Sequence, residues 1–137
     1  MGSVAAVEAL RQVDGWPCEN VAVAVTGAVE ASHGEVARSF PWASVSKLAT
    51  TVAMLVAAEE GIVDLDEPAG PTGSTFRHLL AHASGLPFEQ GAPIARPGTR
   101  RIYSNYGIEV AAALVEERAE MPFTEYFASR NFGSQKR

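Results

Sequence analysis

Between Val21 and Val25 the sequence alternates Val-Ala-Val-Ala-Val, whereas from Val45 onward apolar residues recur at three- and four-residue spacing. That change of period, from the two of a strand to the roughly 3.6 of a helix, constrains the fold more than any other feature. A strand with one buried face wants β-branched residues at every second position, and the first run supplies them. Gly27 to Gly34 offers loop residues and Glu35 to Phe40 a shorter returning strand, so a hairpin is expected. Ahead of it, Val4, Val7, Leu10 and Arg11 share a helical face that stops near Asp14-Gly15-Trp16-Pro17.

Behind the hairpin, Val45, Leu48, Val52, Leu55 and Val56 mark a helix from Ser44 to Glu60-Gly61, expected to be buried along much of its length. Asp64 to Pro68 reads as a turn and Ala69 to Ser74 as a loop. Thr75 is expected to cap a short helix through Phe76, Leu79 and Leu80, with Gly85 closing it in the left-handed position. The prolines and glycines between Leu86 and Thr99 predict irregular surface. A last long helix is expected from about Tyr106 to Glu120, with Val110, Ala111, Leu114 and Val115 inward, and another begins at Pro122. The fold class is therefore α+β: an N-terminal helix and β-hairpin, then a mostly helical region. One partial domain over 1–137 is expected, with helix plus hairpin to about 43, a helical part over 44–129 and a polar tail over 130–137. Two strands do not cover a helix layer unless further strands join them, because an isolated hairpin is marginal in water. The exposed sheet edges would then favour a homo-oligomer.

The chain's 137 residues, 47% of them apolar, suffice for one domain with a core. Its longest apolar stretch, Leu48 to Ala58, is interrupted by Thr50 and Thr51 and falls short of the roughly 20 residues a bilayer needs, so no membrane span is expected. With 11 basic against 16 acidic side chains the chain has no footprint for phosphate backbones, which excludes nucleic acid as a partner. Cys18 stands alone, so no intrachain disulfide forms and a cysteine-based zinc site is excluded. Glu8 and Arg11 interrupt the place where a signal peptide needs an unbroken apolar run. As written the chain is expected to be cytoplasmic, and exported if a leader was removed.

Chemistry concentrates at Ser44 and Lys47. Ser44 stands where the apolar helix begins, with backbone N–H groups and the helix dipole favouring negative charge. Lys47 lies one turn on and shares its face. The chain has only two lysines against nine arginines, the other being Lys136, so one inside the most apolar helix is informative. A desolvated lysine has its pKa lowered from about 10.4, and the neutral amine can then accept a proton from a serine hydroxyl. The plainer alternative is a helix N-cap serine followed by a solvated lysine. Tyr103-Ser104-Asn105 is the second element: a phenol beside Lys47 could share the Ser44 proton and pass it to a leaving group. Asn105 offers a carbonyl and an amide for orienting Lys47 and a substrate carbonyl, or equally a plain N-cap for the next helix. Trp42, two positions before Ser44, is a packing residue or lines the pocket.

Four segments together resemble the serine β-lactamase family, in particular the branch of class C β-lactamases, D-alanyl-D-alanine carboxypeptidases and esterases. They are Phe40-Pro41-Trp42-Ala43-Ser44-Val45-Ser46-Lys47-Leu48, the run Glu59 to Pro68, the run Arg77 to Leu86, and Tyr103-Ser104-Asn105-Tyr106-Gly107. The resemblance covers about residues 20 to 127 and implies a β-lactamase/transpeptidase-like fold. It implies that Ser44 is the nucleophile, Lys47 its activating partner, and Tyr103 and Asn105 the Tyr-x-Asn motif; the Ser-x-x-Lys signature marks penicillin-recognising enzymes generally. The substrate would be a small molecule or peptide with an amide or ester carbonyl, handled without metal or organic cofactor. The family's later strand with Lys-Thr-Gly or His-x-Gly, and its C-terminal helix, have no counterpart between Met121 and Arg137. The chain thus resembles the first half of the family domain. It is expected to be weak or inactive alone; the alternative is a non-catalytic penicillin-binding-like fragment that works only with a partner or as an oligomer.

Other candidates are weaker. His78 and His82 have the spacing of a helical zinc pair but no third ligand of matching context, and structural hydrogen bonding is the stronger reading. A triad of Ser44, His33 and Asp64 or Asp66 lacks the Gly-x-Ser-x-Gly elbow. Asp64, Asp66 and Glu67 read as a solvated turn rather than a calcium loop. The basic run Arg96-Pro97-Gly98-Thr99-Arg100-Arg101 reads as a solvated loop more than as a carboxylate trap.

Overall fold

The computed structural model describes residues 7–132, and the chain divides into two compact units, Met1–Trp42 and Ala43–Arg137. Of the amphipathic N-terminal face, Val4 lies outside the described residues, as does most of the polar tail. In the first unit a helical turn at residues 7–10 runs into a 3-10 helix, Arg11–Gly15, which buries Val13. Strands β1 (Ala22–Val25) and β2 (Ala31–Gly34) pair antiparallel, Ala22 opposite Gly34 and Val25 opposite Ala31. The returning strand was expected at Glu35 to Phe40; it falls earlier because Gly34 ends the ladder. Its φ of 83° suits only glycine, a Cβ there would collide with the Val21 carbonyl, and Glu35 N–H closes the pairing on that carbonyl at 2.9 Å. Residues 35–38 then turn, with Arg38 N–H on the Glu35 carbonyl and the two side chains paired at 3.0 Å.

The second unit is helical. Helix α1 spans Ser46–Glu59, α2 Phe76–Leu80, α3 Asn105–Ala119 and α4 Phe123–Phe127, the last followed by a π-helical turn Ala128–Phe132. Helix α3 packs against the other three helices. The core is Met54 and Ala57 of α1, Val63, Phe76 and Leu79 of α2, Leu86, Ile108, Ala111 and Val115 of α3, and Tyr126 of α4. Apolar positions on α1 were expected to be buried along the helix. Instead Val45, Leu48, Val52 and Leu55 are exposed, Leu48 at 71%, and burial falls on Ala53, Met54 and Ala57. Periodicity reports an apolar face; among the described residues only the narrower stripe through Met54 meets the core cluster.

Local chemistry explains the ends of these helices. Thr75 caps α2 in a capping box: its hydroxyl accepts from His78 N–H, and His78 Nδ1 accepts from Thr75 N–H at 3.2 Å. The first left-handed residue after α2 is His82, with φ of 57°, three positions before Gly85. Gly85 serves another need. It has φ of 85°, a Cβ there would strike the Ala95 carbonyl, and its own carbonyl accepts from Ile94 N–H at 2.9 Å. The 86–99 segment is irregular as expected, though Leu86 is buried in the core rather than on the surface. A three-way contact ties the C-terminal end of α1 to α4 and the turn that follows it. Tyr126 Oη donates to Glu60 Oε2 at 2.8 Å, and Arg130 pairs with the same carboxylate at 2.7 Å while lying over the Tyr126 ring. Hydrogen bonds from Arg130 and then Tyr126 hold the Glu60 carboxyl below its ordinary pKa. No helix among the described residues is long and apolar enough to cross a membrane.

Candidate active site

Ser44 lies in a 3-10 turn, Ala43–Val45, that hands over directly to α1. Ala43 enters the turn with φ of 45°, a left-handed conformation that costs a non-glycine residue about 1–2 kcal/mol. Ser46 steadies it by donating its hydroxyl to the Ala43 carbonyl at 2.6 Å. The turn lifts Ser44 into solvent two residues ahead of the helix, and Lys47, half-buried in the first turn of α1, reaches back to it: Nζ to Oγ is 3.3 Å.

Tyr103 arrives on the extended segment before α3. Its ring lies 4.7 Å from the His82 ring and 5.9 Å from that of Phe88, and Lys47 Nζ sits 5.1 Å from its centroid. A cation at that distance is attracted by the ring's quadrupole. Hydrogen bonding to Ser44, then to Lys47, with the lysine's charge adding to it, holds the phenol below its ordinary pKa of 10.0; the slight burial opposes this. Ser44, Lys47 and Tyr103 therefore meet at one point. They line a cleft of about 440 Å³ together with Leu48, His82 and Arg101. A larger hollow, about 620 Å³, lies at Leu55, Asp64, Asp66 and Arg77 and holds none of the candidate residues.

Asn105 and Trp42 stand differently. Ser104, not Asn105, caps α3, with its hydroxyl accepting from Gly107 N–H at 2.8 Å, so the plain capping role considered for Asn105 does not apply. Asn105 is the first residue of α3; its N–H donates to the Phe88 carbonyl at 3.0 Å, and its Oδ1 is buried with no hydrogen-bond partner. That atom is a spare acceptor beside Tyr103 in the chain, though Asn105 is not among the residues lining the cleft. Trp42 closes the first unit and is 65% exposed.

The lesser candidates have other occupations. His78 is engaged in the α2 cap and His82 Nδ1 accepts from Ser104 N–H at 3.2 Å, as structural hydrogen bonding of the imidazoles requires. Among the described residues no cluster of metal-ligating side chains occurs. His33 pairs with Asp14 at 2.6 Å. Asp64 Oδ1 accepts from Asp66 N–H, Asp66 holds Arg77 by two bonds at 2.8 and 3.0 Å, and Glu67 pairs with Arg118 at 3.1 Å. His82 and Arg101 are the cleft residues that motif reading missed. Arg101 was legible: two residues before Tyr103 on extended chain, it shares the tyrosine's face. His82 was not, because its position depends on a left-handed turn that its sequence does not announce.

A family model described as Beta-lactamase matches residues 9–134. Among solved structures, a β-lactamase from Mycobacterium bovis is 50% identical, with a TM-score of 0.76 over 88% of this chain and 45% of that one. A β-lactamase/D-alanine carboxypeptidase from Yersinia pestis is 22% identical, with a TM-score of 0.61 over 91% of this chain and 52% of that one. Simvastatin synthase from Aspergillus terreus, also 22% identical, has a TM-score of 0.64 over 92% of this chain and 48% of its own. The latter two speak to the fold alone. The chain spans about half the length of each of these three structures. No curated protein matches it.

Proposed function

Given that the chain belongs to the β-lactamase family, we propose that it carries the acylating half of a serine hydrolase acting on an amide or ester carbonyl, such as that of a β-lactam, a D-Ala-D-Ala-type peptide or an ester. The observation that supports this reading is the meeting of Ser44 Oγ with Lys47 Nζ at 3.3 Å, and of both with the Tyr103 phenol, in one open cleft. Ser44 Oγ attacks the carbonyl carbon, forming a C–O bond. Its proton passes through Lys47 and Tyr103 to the leaving nitrogen or oxygen as the scissile bond breaks. Water then releases the acyl group by the reverse path. The backbone N–H of Ser44 serves as one oxyanion donor, and Asn105 orients substrate and lysine. No step calls for a metal or organic cofactor.

A single oxyanion donor is worth about 2.7–4 kcal/mol, so an arrangement with only one turns over slowly by itself. A second reading is favoured by the exposed apolar face Val45, Leu48, Val52 and Leu55: a non-catalytic penicillin-binding-like module that works with a partner or as an oligomer. One experiment separates them. The protein is incubated with a β-lactam or a fluorophosphonate and its intact mass measured, with sedimentation run alongside. The hydrolase reading expects a stoichiometric adduct that Ser44→Ala abolishes and Lys47→Met slows. An unmodified wild-type protein at every pH refutes it.

A further inference from the structure

We propose that His82 is the positioning residue for Tyr103: it straps the backbone on both sides of the tyrosine and so sets where the phenol meets Ser44 and Lys47. Ile102 N–H donates to the His82 carbonyl at 2.7 Å, and Ser104 N–H donates to His82 Nδ1 at 3.2 Å. The residue between those two donors is Tyr103, and its ring lies against the imidazole, 4.7 Å between centroids at 48°. One residue thus supplies a main-chain and a side-chain acceptor to alternate amides of one extended segment and packs on the side chain between them.

The geometry comes from an uncommon backbone. His82 has φ of 57°, a region in which histidine, asparagine and aspartate are enriched among non-glycine residues. That conformation ends α2 and aims both acceptors at the 102–104 segment. Acceptance at Nδ1 requires a neutral ring with its hydrogen on Nε2. The groups facing the imidazole are Lys47 from α1 and Arg101 and Tyr103 from the segment before α3, and among the described residues no carboxylate lines the cleft they share. Desolvation, then the charges of Arg101 and Lys47, hold the ring's pKa below its ordinary value. Protonation would set an N–H against the Ser104 N–H and add a third cation to the cleft. Acid therefore releases the strap, and alkali restores it.

The kinetic consequence rests on the acyl-transfer reading; the positional claim does not, and the test keeps them apart. Ultraviolet difference titration against Tyr103→Phe reads the Tyr103 phenol in wild type, His82→Gly and His82→Asn, and intact-mass labelling by a fluorophosphonate reads Ser44 across pH. Glycine accepts the backbone without strain and keeps the carbonyl bond while deleting Nδ1 and the ring. Asparagine tolerates the same φ and offers Oδ1 in place of Nδ1. In His82→Gly the phenol returns toward about 10, and labelling slows on the order of ten- to a hundredfold, as a misplaced group does. In His82→Asn the phenol stays low and labelling loses its histidine-linked acid limb. Identical phenol titration in wild type and folded His82→Gly overturns the proposal. Should the glycine variant fail to fold, an asparagine variant whose phenol titrates near the ordinary value overturns it. A shifted phenol with no labelling of any variant leaves the strap standing and refutes the hydrolase reading instead.

Discussion

Ser104→Ala should destabilise the second unit by about 2 kcal/mol without altering any residue that lines the cleft. The serine is 1% exposed and its hydroxyl works twice, accepting from Gly107 N–H at 2.8 Å and donating to the Pro87 carbonyl at 2.5 Å. Removing an N-cap typically costs about 1 kcal/mol. The Pro87 carbonyl loses its partner as well, and because Pro87 is only partly buried its penalty sits near the low end of the range for an orphaned acceptor, about 1 kcal/mol. Gly107 shows how closely the cap packs on the first turn of its own helix, since a Cβ there would stand 3.2 Å from Ser104 Oγ. For a unit of this size each kcal/mol moves the midpoint by roughly 4–8 °C, so a fall of about 8–16 °C is expected. Urea unfolding followed by far-ultraviolet circular dichroism measures the free energy directly, with an unchanged denaturant slope confirming that both states are the same. Ser46→Ala, which removes one exposed bond to the Ala43 carbonyl, is the control and should stay within about 0.5 kcal/mol. If Ser104→Ala matched that control, the reasoning from buried, doubly engaged hydroxyls would be wrong.

Two further outcomes follow from burial and charge. Met54→Ala, at a fully buried site, should cost about 2–5 kcal/mol, whereas Leu48→Ser, at 71% exposure on the same helix, should change stability by less than about 0.5 kcal/mol; equal losses in urea titrations would contradict the placement of the α1 faces. Glu60 is held below its ordinary pKa in the folded chain by Arg130 and Tyr126, so the folded state releases its proton more readily than the unfolded one. Its contribution is fully present above the ordinary value of 4.5 and is lost as pH falls from there through the lowered folded value. Glu60→Gln should flatten the pH dependence of stability over that window, and an unchanged slope would show that the contact does not form in solution.

Much of this arrangement could be read from the residues, and the failures have physical causes. Ser44, Lys47 and Tyr103 were legible because spacing along a helix start places two of them and the Tyr-x-Asn pattern names the third; the structure brings all three to one cleft. Helix α1 was legible in extent, yet its buried face was misjudged, since an apolar stripe records affinity for cover and the described neighbours supply that cover only near Met54 and Ala57. β2 was placed too late because β-propensity in Val36 to Phe40 says nothing of Gly34, whose positive φ ends the pairing. A capping role was considered for Asn105, but Ser104 takes that place, and its hydroxyl also donates to the Pro87 carbonyl, a partner distant in sequence that fixes the serine. The left-handed turn after α2, expected at Gly85, falls to His82 for a similar reason. The glycine was needed where the Ala95 backbone passes closest, leaving histidine to take the left-handed turn.

The contact of Tyr126 and Arg130 with Glu60 has a consequence for the order of events as the chain leaves the ribosome. Its partners are separated by 66 and 70 positions, and closing a loop of that length forfeits about 4 kcal/mol of chain entropy before any packing repays it. Tyr126 is also the largest fully buried side chain among the described residues. The C-terminal end of α1 therefore gains its last partners only when residues 126–130 have been made. Contacts of such sequence separation close late, because chain entropy is lost before packing rewards it.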